Sequence, residues 1–183
     1  MRRTVRCTTT FAASVAVVLA VAFGTSAPAL AKAPPKIATD DACTIVNPKQ
    51  VTKFGKPVGA PTPSAIKLDC KFAVGDPVAG PGGTLTALLL YPNPFAATAA
   101  NAQLGVEDQF AIDRLSGQDL QDVSGLGRSA YFNRTKGEVV FAPNKKLGVI
   151  LNWAPSPAGT PVTKRDQSRL IALAKAVTKR ANG

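Results

Sequence analysis

The chain of 183 residues contains no histidine. Without an imidazole group it has no Ser-His-Asp or Cys-His nucleophilic system, no histidine ligand for zinc and no histidine general acid or base. The sequence therefore excludes several large classes of hydrolase and metalloenzyme. We expect no metal site, no cofactor and no enzymatic activity.

Cysteine is also scarce, with three in the whole chain. Cys7 lies in the amino-terminal segment that we expect to be removed, so two remain. Cys43 comes just before a helix signal, and Cys70 lies on the apolar side of an alternating run, so a disulfide between them would pin the first helix to the buried face of a sheet. Such a bridge would contribute about 3–4 kcal/mol in the chain-entropy view. The alternative is two free buried thiols, which is rarer in an exported protein.

The amino-terminal segment has the three parts of a secretory signal peptide. They are the basic residues Arg2, Arg3 and Arg6, an apolar run over 11–23 that is too short to span a bilayer comfortably, and the cleavage pattern Ala29-Leu-Ala31. No lipobox precedes Cys43, so we expect a secreted product with neither a lipid anchor nor a transmembrane segment. Arg2-Arg3 leaves both the general and the twin-arginine export routes open.

The predicted organisation is a signal peptide over 1–31, a flexible lead-in over 32–40 and a single disulfide-stapled domain over 41–183. Removing the signal peptide leaves 19 basic against 11 acidic residues, a net charge of +8. A chain of this length can build one domain with a substantial core.

Five runs separated by turn signals have strand character, and three have helix character. The strands are predicted over 64–74, 84–91, 129–133, 138–142 and 147–153, and the helices over 48–54, 95–104 and 164–180. In the first strand, Ile66, Leu68, Cys70, Phe72 and Val74 would share one face. The pattern predicts an α+β fold: a single antiparallel sheet of about five strands, with a short N-terminal helix, a middle helix and a C-terminal helix packed on it.

Capping residues support the first and last helices. Asn47-Pro48 with Gln50 predicts a helix start, and Gly55 supplies a stop. Thr163 with Asp166 forms a second capping box, and the middle helix is predicted to stop at Gly105.

The segment over 107–122 is acidic. We interpret it as a solvated loop with one irregular strand near Phe110 to Leu115, and a cation site is the alternative, although no EF-hand ladder is present. A carboxylate-based hydrolase would have to draw its pair from Asp108, Asp113, Asp119, Asp122 and Glu138. Spacing alone does not show whether any two of these converge.

Two short motifs lack the context that their chemistry requires. Ser64-Ala-Ile-Lys67 matches the Ser-x-x-Lys of penicillin-recognising enzymes, but it opens a strand instead of a helix. The run from Gly125 to Ala130 fits a dinucleotide fingerprint, but it precedes a strand, so Gly125 and Gly127 are assigned to a tight turn.

Four stretches resemble a large family of small exported proteins of unknown function from high-GC Gram-positive bacteria, many of them lipoproteins. The matching stretches are Asp41-Ala-Cys-Thr-Ile-Val46, Cys70-Lys-Phe72, Gly125-Leu-Gly-Arg-Ser-Ala-Tyr-Phe132 and Leu170-Ile-Ala-Leu-Ala-Lys175. The resemblance implies the disulfide and a helix-plus-sheet fold, and it brings no established activity. Arg128 stands where the family usually has an acidic residue, and the missing lipobox argues against carrying over envelope anchoring.

The leading functional prediction is a secreted, non-catalytic binding or interaction domain of the bacterial cell envelope, with an envelope component or small ligand as its partner. The first alternative is electrostatic binding of an anionic envelope polymer or membrane surface. The candidate residues for it are Arg165, Arg169, Lys175, Lys179 and Arg180. Nucleic acid is not expected as a partner of an exported chain without stacking aromatics among its basic residues.

Overall fold

The computed structural model describes residues 37–38, 40–75, 82–90, 102–127 and 129–183, without the side chains of 102–104. The predicted signal peptide, most of the loop over 75–83, the predicted helical residues 95–101 and Arg128 lie outside the described residues. Within them, the fold is confirmed as α+β with one antiparallel sheet and three helices. The helices are α1 (Pro48–Val51), α2 (Ala102–Leu115) and α3 (Lys164–Asn182), and a 3-10 turn spans Ala42–Thr44.

The described part of the sheet has eight strands, not about five. They are β1 (Lys56–Pro57), β2 (Thr62–Pro63), β3 (Asp69–Gly75), β4 (Gly83–Leu90), β5 (Leu120–Asp122), β6 (Tyr131–Asn133), β7 (Glu138–Asn144) and β8 (Leu147–Pro155). The order is β1-β3-β4-β8-β7-β6-β5, with β2 also paired to β3. The three strands that were not predicted, β1, β2 and β5, have two or three residues each. Runs this short show no alternation, so the sequence pattern did not reveal them.

The sheet has helices on both faces. One face carries the main core, in which Phe72, Leu85 and Leu151 pack with the buried stripe of α3 and with the segment around α1. The other face carries a smaller core, in which Val106 of α2 packs with Tyr131 and Val140. Consecutive residues of β7 alternate between the two cores, as a strand covered on both sides requires.

The disulfide joins Cys43 to Cys70, whose Cα atoms lie 5.0 Å apart. Cys70 is fully buried on β3, so the bridge ties the turn before α1 to the main core. Asn47 and Gln50 form the predicted capping box of α1. The helix itself ends at Val51, earlier than the predicted Phe54, and continues as turns to Gly55.

The first predicted strand begins later than expected. Cys70, Phe72 and Val74 are buried as predicted, but Ile66 is 70% exposed. Ser64 and Lys67 lie in a turn in which the Lys67 amide donates to the Ser64 carbonyl over 3.0 Å, and Lys67 has a φ of 57°. This turn breaks the alternation before Asp69, where β3 starts.

The prediction that the middle helix stops at Gly105 was wrong. Helix α2 continues through Gly105 to Leu115, so the interpretation of 107–122 as a loop with a strand near Phe110 was also wrong. Val106 is fully buried, and the Phe110 ring packs edge-on against Tyr131 with centroids 5.1 Å apart. This packing outweighs the penalty of about 1 kcal/mol for a glycine inside a helix.

Helix α3 follows its sequence pattern closely. The Thr163 hydroxyl and the Asp166 carboxylate cap its start reciprocally. Leu170, Leu173, Ala174 and Val177 form the buried stripe, which packs mainly on β7 and β8. The orientation of α3 about its own axis is therefore fixed, and so is the set of side chains that it turns to solvent.

Candidate functional site

The five predicted polyanion-binding residues divide into two groups. Arg165, Lys175 and Lys179 are exposed, and Lys164 is exposed on the same side of α3. At 3.6 residues per turn these four positions lie opposite the buried stripe. We call them the outer face of α3. No ion pair to any described residue is seen for them.

Arg169 and Arg180 are committed to contacts within the protein. Arg169 pairs with Asp166 at 3.4 Å, and its side chain is 28% exposed. The Arg180 guanidinium donates to the carbonyl oxygens of Thr44 and Ile45, which close the 3-10 turn beside the disulfide. Burial lowers the pKa of Arg180. Its charge thus stabilises the end of this turn and is not displayed for a partner.

The β7–β8 turn adds cations near the end of α3. The Asn144 side-chain amide donates to the Ala181 carbonyl over 3.3 Å, and the Asn182 side-chain amide donates to the Pro143 carbonyl over 3.2 Å. These bonds hold the turn that carries the exposed Lys145 and Lys146 next to the C-terminal end of α3. The basic surface therefore extends beyond the helix.

The five acidic residues that were candidates for a carboxylate pair differ in exposure and in contacts. Asp108, Asp119 and Asp122 are exposed, on α2 or along the β5 edge. Asp113 and Glu138 do converge, because Lys136 Nζ lies 2.7 Å from Asp113 Oδ1 and 3.7 Å from Glu138 Oε1. The cluster lies on the α2 face of the sheet, where Glu138 is the first residue of β7.

Asp113 is 1% exposed, and its carboxylate accepts four hydrogen bonds. Lys136 Nζ and Gln109 Nε2 donate to Oδ1 over 2.7 and 3.1 Å. Tyr131 Oη and Asn133 Nδ2 donate to Oδ2 over 2.8 and 3.1 Å. Burial alone would raise the pKa of Asp113, but these hydrogen bonds together outweigh it and lower the pKa.

The pKa values of the groups around Asp113 are raised, whereas that of Asp113 is lowered. Burial, followed by the hydrogen bond to Asp113, raises the pKa of Tyr131 well above its usual range. The hydrogen bond to Asp113 raises the pKa of Lys136. Burial is also the main cause of the raised pKa of Glu138, and Lys136 only partly compensates for it. Asp113 and Lys136 are therefore held as ions, while burial makes ionisation of Glu138 less favourable than that of an exposed glutamate.

This cluster has the composition of an acid–base pair but the geometry of a structural anchor. All four lone-pair positions of the Asp113 carboxylate are occupied by donors, so none is free to accept a proton from a substrate or to attack one. The donors come from β6, from the β6–β7 turn and from α2 itself, so the carboxylate ties the C-terminal half of α2 to the sheet.

No pattern in the sequence marked Tyr131, Asn133, Lys136 and Gln109 as partners of Asp113. A signal for the burial of Asp113 was present, because Val106, Phe110 and Asp113 have the spacing of one helix face. Had 102–115 been recognised as helical, Asp113 would have been placed on the buried side, where a carboxylate needs partners.

Gly125 and Gly127 lie in the turn between β5 and β6, with φ angles of 82° and 103°. A Cβ at Gly127 would lie 2.2 Å from the Ala142 carbonyl oxygen. The turn is closed by a hydrogen bond of 2.9 Å from the Val123 amide to the Ala130 carbonyl. These glycines therefore let the chain pass close to β7, and the described residues on either side carry no helix that a dinucleotide fingerprint would need.

A groove of 810 Å³ opens at one end of the sheet. It lies between the start of β4, the end of β8, the β6–β7 turn and the segment over 156–162. Arg134 and Lys136 bring positive charge to it, and none of the described lining residues is acidic. No sequence pattern pointed to this groove, because its walls come from stretches that are far apart in the sequence, Val74, 82–84, 134–136 and 153–162.

Among the described residues, no three His, Cys, Asp or Glu side chains cluster in a way that could hold a metal ion. In the same part of the chain, none of the helices combines the length and apolar character needed to cross a bilayer.

The comparisons with known proteins give no relative from which a function could be transferred. No protein-family model matches the chain, and neither a curated protein nor a solved structure matches it.

Proposed function

We propose that this chain is a secreted, non-catalytic binding domain of the bacterial cell envelope that associates with an anionic polymer or surface through the outer face of α3. The observation that carries this proposal is the arrangement of Lys164, Arg165, Lys175 and Lys179. All four are exposed and have no ion-pair partner among the described residues.

The geometry of the helix supports an extended partner. Arg165 and Lys179 are separated by about 21 Å along α3 at a rise of 1.5 Å per residue. Lys145 and Lys146 continue the positive surface beyond the C-terminal end. A linear polyanion meets several charges at once on such a surface, and each contact releases condensed counterions.

The distribution of charge over the fold supports the same orientation. The exposed acids Glu107 and Asp108 lie on α2, which covers the opposite face of the sheet. The α2 side also carries the exposed Arg114, so it has charges of both signs, whereas the outer face of α3 is positive throughout and would attract an anionic surface more strongly. The two helices therefore favour one orientation of the domain, which net charge alone would not specify.

Retention on dextran sulfate beads at low and physiological salt tests this proposal. We expect Arg165→Gln/Lys175→Gln/Lys179→Gln to elute at clearly lower salt than the wild type. The matched control Lys53→Gln/Lys56→Gln/Lys71→Gln removes the same charge from exposed positions at or near β1 and β3, and it should elute close to the wild type. Equal retention of all three proteins, each checked for folding, would exclude the outer face of α3 as the binding surface.

A further inference from the structure

The groove at the end of the sheet is built from rigidly packed parts. A Cβ added at Gly82 would lie 2.5 Å from the Val74 carbonyl oxygen, and one at Gly137 would lie 2.4 Å from Val162 Cγ2. The Ser156 amide donates to the Gly82 carbonyl over 2.7 Å. The walls are therefore in close contact with one another, and the groove does not need to be formed by a ligand.

Trp153 forms part of the inner wall. Its side chain is buried, with 4% exposure of the residue, and its ring packs on Phe54 with centroids 5.0 Å apart. The edge of the indole lies against Gly83, where an added Cβ would be 2.6 Å from Cη2. It is the only tryptophan of the chain and also belongs to the main core, so its fluorescence responds both to this groove and to the packing around Phe54.

The polar lining of the groove favours an anion that also carries hydroxyl groups. Four hydroxyl residues line it, Thr84, Thr135, Ser156 and Thr160. The Thr135 hydroxyl already accepts from the Asp119 amide over 3.1 Å, and the Thr160 hydroxyl donates to the Pro157 carbonyl over 2.7 Å, but each oxygen keeps at least one lone pair for a ligand. The Arg134 side chain is 52% exposed and pairs with Asp119 at 3.5 Å. It also donates to Gln121 over 2.8 Å. These two contacts use two of the five N–H donors of a guanidinium, and three remain.

Lys136 is a weaker candidate for ligand contact than Arg134. Its ammonium lies 2.7 Å from the buried Asp113 carboxylate, and leaving that position would strand a buried charge. Arg134 instead contacts the neutral Gln121 and the carboxylate of Asp119, which is 60% exposed and gives a weak competing interaction. The guanidinium of Arg134 is thus the group that can recognise an added anion.

We propose that this groove is a binding site for a small hydroxylated anion, with Arg134 holding the carboxylate or phosphate and the threonine and serine side chains contacting hydroxyls. Planar guanidinium groups bind both carboxylate and phosphate through paired hydrogen bonds. Sugar acids and sugar phosphates share this chemistry. The site is separate from the outer face of α3, so it does not depend on the proposed polymer binding.

Titration of the intact domain with glucuronate, glucose 6-phosphate and glucose, followed by Trp153 fluorescence, tests the proposal. We expect saturable changes with glucuronate, glucose 6-phosphate or both, and none with glucose over the same concentrations. The two anions distinguish a carboxylate from a phosphate ligand. The absence of a saturable change with either anion, or an equal response to glucose, would overturn the proposal.

Variants connect that signal to Arg134. We expect Arg134→Gln to weaken anion binding by about tenfold or more, since it removes the paired hydrogen bonds. Asp119→Asn removes the competing carboxylate and should leave the affinity unchanged or higher. Lys49→Gln, with the same loss of charge at an exposed position on α1, should not change it. An unchanged affinity in folded Arg134→Gln, checked by thermal unfolding, would overturn the assignment.

Discussion

The carboxylate of Asp113 shows how one residue determines the position of a helix. A carboxylate that is 1% exposed is tolerated only when its charge and lone pairs are satisfied. Lys136, Tyr131, Asn133 and Gln109 meet that need. Because three of these donors lie on β6 or in the turn after it, a helix that slid or rotated on the sheet would leave a buried charge without partners.

Asp113→Asn should destabilise the domain by about 2–3 kcal/mol at pH 7, because it removes the charge from all four hydrogen bonds of the carboxylate and turns an amide donor toward two of the four donors. The folded-state pKa of Asp113 lies below its ordinary value of 3.8. Its stabilising contribution is therefore complete above that value and is lost as the pH falls through the folded-state pKa. Urea unfolding between pH 3 and 7 should show the two proteins converging only at the acidic end.

Glu138→Gln is the matched control for that experiment, because the pKa of Glu138 is raised above its ordinary value of 4.5. Ionisation of a group whose folded-state pKa is raised destabilises the fold. The stability of Glu138→Gln relative to the wild type should therefore increase as the pH rises through that pKa. A pH-independent difference for both variants would contradict the description of this cluster.

Helix starts at capping boxes could be predicted from the sequence, and α2 shows why the extent of the middle helix was predicted wrongly. Asn47 with Gln50 and Thr163 with Asp166 identify α1 and α3, because a capping box depends only on residues three apart. The local sequence around Gly105 predicts that the helix ends there. Helix α2 continues past Gly105 because it packs against Tyr131 and Val140, which are distant in sequence. Local propensity alone does not contain that information.

The two-residue strands β1 and β2 also escaped prediction. Lys56–Pro57 and Thr62–Pro63 contain proline, which is unfavourable inside a sheet and tolerated at an edge. They pair with β3 at the edge of the sheet, where the register joins Lys56 to Gly75 and Thr62 to Lys71. These two strands form by pairing with β3, so their own residues contain no pattern that predicts them.

The disulfide is the covalent link between the first helical segment and the sheet. It encloses a separation of 27 residues, for which the chain-entropy view gives about 3–4 kcal/mol. Alkylation of the native protein without reductant should label neither Cys43 nor Cys70, as mass spectrometry can show. Cys43→Ser/Cys70→Ser should lose stability of this order in denaturant unfolding. Full labelling of both thiols in the native protein would contradict the bridge.

The exposed cations of α3 form one positive surface on the described part of the fold, and the net charge of the sequence does not show where that surface lies. The sequence identified the basic residues of α3 but not which of them remain available. The structure places Arg180 against two carbonyl groups and Arg169 against Asp166. Three of the five candidates, Arg165, Lys175 and Lys179, stay exposed. Arg169 pairs with a residue of its own helix, whereas the partners of Arg180 are brought to it only in the completed fold.

The groove could not be predicted at all, for a related reason. Its parts come from β4, from β8, from the β6–β7 turn and from the segment before α3. Only the register of the finished sheet brings Gly83 opposite Pro155. A site assembled in this way leaves no motif in the sequence.

The salt dependence of polyphosphate binding tests the central claim, that the outer face of α3 binds anionic polymers. Calorimetry at several salt concentrations gives the slope of the logarithm of the affinity against that of the salt concentration. We predict that Arg165→Gln/Lys175→Gln/Lys179→Gln lowers the magnitude of this slope by about 2–3, one counterion for each lost contact. Lys53→Gln/Lys56→Gln/Lys71→Gln should keep the wild-type slope. The same slope in all three proteins, or a loss in the control alone, would contradict the claim.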